Sequence, residues 1–219
     1  MNMYEGVKTI NFLAGECPHD CVYCSTKSFR YPDQIKKYSG ELRLDENAFK
    51  KNLGKGNTWF VCAQNDLFAD EVPNNFILRI YDHIAMYPDN NYWFQSKNPQ
   101  RMFESARNPF VYGTTIETNR DNQIYNNVPT QYERYYWIKK IKEDFGVKTF
   151  ITIEPILDFD LDALLYLVRN ANVDCVNIGA DSKKHDLKEP PKDKILSLIK
   201  ELEKITEVRL KTNLQRLIK

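Results

Sequence analysis

Apolar runs and amphipathic stretches alternate along the chain, reading as strand followed by helix, six times. The first strand is predicted over Val7 to Phe12. A cysteine-bearing loop and a basic, aromatic connection through Tyr38 follow, then a helix opening near Asp45 and closing at Gly54. The second unit is an apolar run from Thr58 to Cys62, then a helix with Pro73 in its first turn. Phe76, Ile77, Ile80 and Ile84 give that helix one apolar face. In the third, Tyr92 to Gln95 precedes a short helix capped by Asn98 and led by Pro99. In the fourth, Phe110 to Ile116 precedes a long helix. Thr130 and Glu133 have capping-box spacing there, and Ile138, Ile141 and Phe145 carry the buried stripe to Gly146. The fifth pairs Thr149 to Ile153 with a helix from about Asp160 that carries Leu161, Leu164, Leu165 and Val168. The sixth pairs Cys175 to Ile178 with a helix carrying Ile195, Leu198, Ile199, Leu202 and Ile205. Val208 to Leu210 then closes or borders the sheet.

Strands that alternate with helices of this length imply parallel pairing and right-handed crossovers. Near-continuous apolar strands fit a sheet covered on both faces. The pattern alone leaves open a curved partial barrel or a flat doubly wound sheet. Either one places the active face at the C-terminal strand ends. One domain over residues 1–219 is expected, with a loop at 13–30 and a tail at 207–219.

Composition narrows the classes. The 219 residues are 42% hydrophobic, enough for a sizeable core. A net charge of +1, from 31 basic and 30 acidic side chains, does not advertise nucleic-acid binding, although a local basic surface stays open. No apolar run approaches the about 20 residues that cross a bilayer, so no membrane is expected as a partner. The N-terminus lacks the apolar core of a signal peptide, so a cytoplasmic location is expected. Three of the five cysteines fall inside eight residues, which favours a metal site over a disulfide framework.

Those three are Cys17, Cys21 and Cys24, with three residues between the first pair and two before the third. A loop this compact can direct three thiolates at one cubane and leave the fourth iron open to a small molecule. The spacing, with aromatic Tyr23 before the third cysteine, resembles the signature of the radical S-adenosylmethionine (SAM) superfamily. That resemblance implies a partial (β/α)6 TIM-like barrel, a 4Fe-4S cluster on the three cysteines, and SAM chelated by the open iron. It further implies reductive cleavage of SAM to a 5′-deoxyadenosyl radical, fed by an electron donor such as flavodoxin or ferredoxin. Shorter phrases, Asn65-Asp66-Leu67-Phe68, Gln95-Ser96-Lys97-Asn98-Pro99 and Ile153-Glu154-Pro155, are similar to small radical SAM proteins of phages and bacteria whose function is uncharacterised. They supply no substrate.

Polar residues stand at successive predicted strand ends. The family's usual Gly-Gly-Glu segment for the SAM amine is absent, and Gln64, Asn65 and Asp66 occupy its place. By the same resemblance, Ser96, Lys97 and Glu117 are the ribose contacts, and backbone near Tyr23 and Gly179 is the adenine site. Glu154 and Asp181 remain as substrate-side catalytic candidates, together with Lys211 and Asn213 in the tail. Cys62, Cys175 and His83 read as packing residues. His19 is either a cluster neighbour or an ordinary loop residue, and His185 has no assigned chemistry. Lys27, Arg30, Lys36 and Lys37, interleaved with Phe29, Tyr31 and Tyr38, would suit a polynucleotide or simply cover the barrel. The substrate is accordingly a nucleic-acid base or nucleotide, or a small metabolite. A 7-carboxy-7-deazaguanine synthase-like enzyme is a minority form of this reading. The alternative of another class is a zinc-stabilised binding module, with His19 or a distant cysteine as fourth ligand.

Overall fold

The computed structural model describes residues 6–120, 124–183 and 185–219. The reading of the N-terminal residues 1–5 as no signal peptide lies outside the described residues. Among the described residues nine strands form: β1 (Val7–Ile10), β2 (Leu13–Ala14), β3 (Arg43–Leu44), β4 (Thr58–Val61), β5 (Asn91–Ser96), β6 (Val111–Thr115), β7 (Thr149–Ile153), β8 (Cys175–Ile178) and β9 (Glu207–Leu210). The helices are α1 (Pro32–Lys37), α2 (Glu46–Phe49), α3 (Asn74–Ala85), α4 (Pro99–Glu104), α5 (Gln131–Phe145), α6 (Leu161–Ala171), α7 (Lys192–Leu202) and α8 (Gln215–Ile218).

Seven strands make one parallel sheet in the order β1-β4-β5-β6-β7-β8-β9. The sheet is curled. Phe60 on β4 and Phe150 on β7 belong to one buried cluster although two strands separate them, and Val7, Trp93, Val111 and Cys175 join them. A flat sheet could not bring those side chains together, so the doubly wound alternative gives way to a partial barrel with an inner face. The larger core lies outside the sheet, where Ile77, Ile80, Ile138, Ile141, Leu164 and Leu198 of the helices pack on it.

Gly113 shows how tightly the inner face is filled. A Cβ there would lie 2.2 Å from two ring carbons of Phe150, so the ring occupies the space a side chain would need. Gly113→Ala should therefore cost about 1–3 kcal/mol in urea unfolding, and Phe150→Leu in the same chain should recover most of it.

The capping box of α5 forms as expected, and Gly146 ends that helix at φ 62°. Three expectations change. The helix from Asp45 spans only Glu46–Phe49, with the Asp45 side chain accepting from Asn47 N–H. The first strand breaks after Ile10, so that Leu13–Ala14 can pair antiparallel with Arg43–Leu44. Finally, α7 closes at Leu202, whose carbonyl accepts from the N–H groups of Ile205 and Thr206, and this leaves Ile205 exposed. Among the described residues, no helix is long and apolar enough to cross a membrane.

Candidate active site

The cysteine loop leaves β2 and is tied down on both sides. Gly15 has φ +91°, and a Cβ on it would stand 2.2 Å from the Glu41 carbonyl oxygen, so only glycine lets the two backbones approach. Gly15 N–H donates to Lys37 O and Glu16 N–H to Gly40 O. On the far side, Val22 N–H donates to Ile124 O and Asn126 N–H to His19 O. Cys17, Cys21 and Cys24 are all free thiols and line one cavity of about 450 Å³ at the C-terminal strand ends. Burial, with Asp66 nearby, pushes the Cys17 thiol up to about 12. Such a thiol ionises only beside a compensating cation.

Asp66 joins this loop to β5. Its Oδ2 accepts from His19 Nε2 at 3.1 Å and from Lys97 N–H at 2.7 Å. Its Oδ1 accepts from Ser96 Oγ at 2.7 Å and Phe68 N–H at 3.0 Å. Burial opposes its ionisation, yet His19, Ser96 and the Lys97 N–H hold the carboxyl at about 2. Ser96 also accepts from Asn98 N–H at 2.8 Å, so both Asp66 and Ser96 are committed within the protein. Both also line the cavity. Asn65 differs. Its Nδ2 donates to Gly15 O at 2.9 Å, while Oδ1 is buried with no partner and the residue faces the cavity. Gln64 also lines the cavity, its Oε1 taking the Ser25 hydroxyl at 2.9 Å.

Glu117, expected as a ribose contact, is wholly buried. It accepts from Arg134 Nη1 at 3.0 Å and from the Tyr23 hydroxyl. Burial resists its charge, but Arg134 and Lys97 hold the carboxyl below its usual range. Arg134 is equally buried, and sequence reasoning missed it as one more polar residue on a helix. Tyr23 is thereby fixed between Cys21 and Cys24. The Lys97 ammonium lies 5.3 Å from its ring centroid and 3.8 Å from Glu117 Oε1, on the cavity wall.

The opposite wall comes from the ends of β7, β8 and β9. Glu154 accepts from the Lys211 ammonium and from Asn213 Nδ2, the latter at 2.8 Å. The backbone of Gly179, expected at the adenine site, is hydrogen-bonded within the protein. Its N–H donates to Ile153 O, its carbonyl accepts from Ile156 N–H, and a Cβ would lie 2.6 Å from Glu154 Oε1. Asp181 lines the cavity but organises its own loop, accepting from Lys183 N–H at 3.0 Å and His185 Nδ1 at 2.7 Å. That turns His185, left without chemistry by the sequence, onto the cavity wall.

Other candidates lie elsewhere. Cys175 is in the barrel floor, and His83 packs against Phe12 and Phe49. Cys62 is buried but also borders the cavity. In the basic segment, Lys27 is paired with Asp20 and Lys37 with Asp45, while the Phe29 and Tyr38 rings touch. Of that set, Lys27, Arg30, Tyr31 and Lys36 are exposed.

A single zinc needs its ligands about 2.0–2.3 Å from one point; among the described residues no three His, Cys, Asp or Glu are grouped to hold a metal ion of any kind. Nε2 of His19, the suggested fourth ligand, is taken by Asp66, while its Nδ1 is buried without a partner. A cubane takes one thiolate per iron and suits three thiols spread around a cavity wall. The orphan Asn65 Oδ1 offers an acceptor beside it for an ammonium.

A family model described as a protein of unknown function (DUF5131) matches residues 13–195. No curated protein matches the sequence. Among solved structures, a spore photoproduct lyase mutant with bound AdoMet and dinucleoside spore photoproduct is similar at TM-score 0.66 and 11% identity. The match covers 92% of this chain and 75% of that one. A radical SAM methyltransferase from Sphaerobacter thermophilus gives TM-score 0.58 at 12% identity, over 94% of this chain and 65% of that one. At such identities the likeness is one of fold: a partial TIM-like barrel of the radical SAM type.

Proposed function

The chain belongs to the DUF5131 family, and we propose that it is a single-domain radical SAM enzyme. The observation that carries this reading is the convergence of Cys17, Cys21 and Cys24 on one cavity, beside the unpartnered Asn65 acceptor. When bound, a 4Fe-4S cluster and SAM supply reductive cleavage of the sulfonium and a 5′-deoxyadenosyl radical for hydrogen abstraction. This chain's residues supply the rest. The three thiolates hold the cluster, Asn65 Oδ1 takes the SAM amine, and Gln64 and Lys97 face the same ligand. Asp66 and Glu117 fix the loop through His19 and Tyr23. Glu154, Asp181 and His185 stand on the substrate side.

Five free thiols suit a reducing cytoplasm, where a flavodoxin or ferredoxin would deliver the electron. A dinucleoside photoproduct in the similar lyase supports a nucleic-acid-derived substrate over other metabolites. Anaerobic reconstitution with iron and sulfide tests the metal. About four irons per chain and a broad visible absorption are expected, lost in Cys17→Ala, Cys21→Ala and Cys24→Ala alike. A colourless protein retaining one zinc would overturn the reading.

A further inference from the structure

A band of uncharged polar side chains crosses the inner face of the barrel and borders the cavity. Thr152 Oγ1 donates to Gln95 Oε1 at 3.1 Å, and Gln95 Nε2 donates to Thr115 Oγ1 at 2.7 Å. Thr115 and Thr152 are register partners on β6 and β7. Gln95 reaches up to them from β5, where its own partner is Gly113. All three line the cavity, and so does Phe60, one inward position deeper at the level of Trp93. Lys97 and Glu154, also on the cavity wall, stand one inward position above Gln95 and Thr152, just past the ends of β5 and β7. The cavity therefore has a charged rim and an uncharged floor.

Barrel interiors are ordinarily closed by layers of bulky branched side chains. Here an amide and two hydroxyls face open space instead. An amide offers two N–H bonds and two carbonyl lone pairs. The threonines take one of each from Gln95, which fixes its plane, and leave one of each. Gln95 is only partly buried, so the remaining pair is presented to the cavity. We propose that this floor binds the edge of a nucleobase through Gln95, with the ring against Phe60. A base edge sets an N–H beside a carbonyl or ring nitrogen, the complement of what Gln95 has left, and a carboxamide can pair with such an edge through two bonds at once. An anion would use the N–H but set its charge against the Gln95 lone pair, and a cation would do the reverse. A neutral edge satisfies both. The phosphate of a nucleotide then stays at the rim, where exposed Lys183 lines the cavity.

This site deepens the radical SAM reading by giving a nucleic-acid-derived substrate its point of recognition, and it rests on that reading only for the chemistry after binding. The test is calorimetric titration of the full-length, cluster-loaded, unreduced protein in the presence of SAM. The titrants are uridine and 3-methyluridine, which keeps the ring and sugar but replaces the N–H of the pairing edge by a methyl group. Uridine should bind saturably, and 3-methyluridine about tenfold more weakly. In Gln95→Met, uridine should fall to the level of 3-methyluridine, while SAM affinity is unchanged. The inference is overturned if uridine gives no binding heat, or if the two nucleosides bind alike to the wild type, a comparison that decides even where the variant fails to fold. Discrimination that survives in Gln95→Met overturns it as well. So does a tenfold loss of SAM affinity in that variant, which would give Gln95 to the adenine of the cofactor. If a preparation that cleaves SAM binds no uridine, only this inference falls. Uridine binding without SAM cleavage counts against the enzyme reading alone.

Discussion

Arg134→Met should destabilise the protein by about 3–5 kcal/mol, measured by urea unfolding, because it strands the Glu117 carboxylate in the interior. Both side chains are wholly inaccessible, 3.0 Å apart. Arg134 also donates to the Thr115 carbonyl at 2.6 Å, so the variant opens a second unmet acceptor. Adding Glu117→Gln should recover a substantial part, since the charge left behind, rather than the lost contact, dominates the cost. The effect should reach the cysteine loop. Glu117 anchors the Tyr23 hydroxyl, and Tyr23 lies between two of the three thiols. Iron loading of the folded Arg134→Met protein should therefore fall, and return in part with the double variant. Equal stability of wild type and Arg134→Met would mean that the pair is not closed in solution.

Much of the barrel could be read from the chain because its strands are covered on both faces. The runs Thr149–Ile153 and Cys175–Ile178 are buried along their whole length, and their observed bounds are those expected. The ends of α5 were legible for a local reason, since Thr130, Glu133 and Gly146 satisfy exposed backbone groups by themselves. The pair Leu13–Ala14 with Arg43–Leu44 was not, because two residues carry no period and the partner lies far along the chain.

The site divides in the same way. Three cysteines at close spacing announce themselves, but the fate of a polar strand-end residue depends on partners brought from distant elements. Asp66, Ser96 and Glu117 look alike in sequence to Asn65 and Lys97, yet His19 and Arg134 draw the first three into the protein's own network. A signal for the hydrogen-bonded row of Gln95, Thr115 and Thr152 was present, since each falls on the inward parity of its strand. Reading it required the register, which sequence alone does not supply.

On the proposed function, Cys17, Cys21 and Cys24 serve SAM chemistry rather than structure. Their geometry makes the expected effect of losing one of them total. Cys21 is the most enclosed of the three, and a cubane held by only two thiolates exposes a second iron to solvent and competing ligands. Cys21→Ala should keep the fold, because the loop is held by Gly15, Val22 and Asn126 backbone bonds that the thiol does not make. The decisive measurement is 5′-deoxyadenosine formed by anaerobic, cluster-loaded protein given dithionite and SAM. Wild type should produce it together with methionine, and Cys21→Ala should produce none. A reduced, fully loaded wild-type protein that binds SAM and leaves it intact would contradict the account.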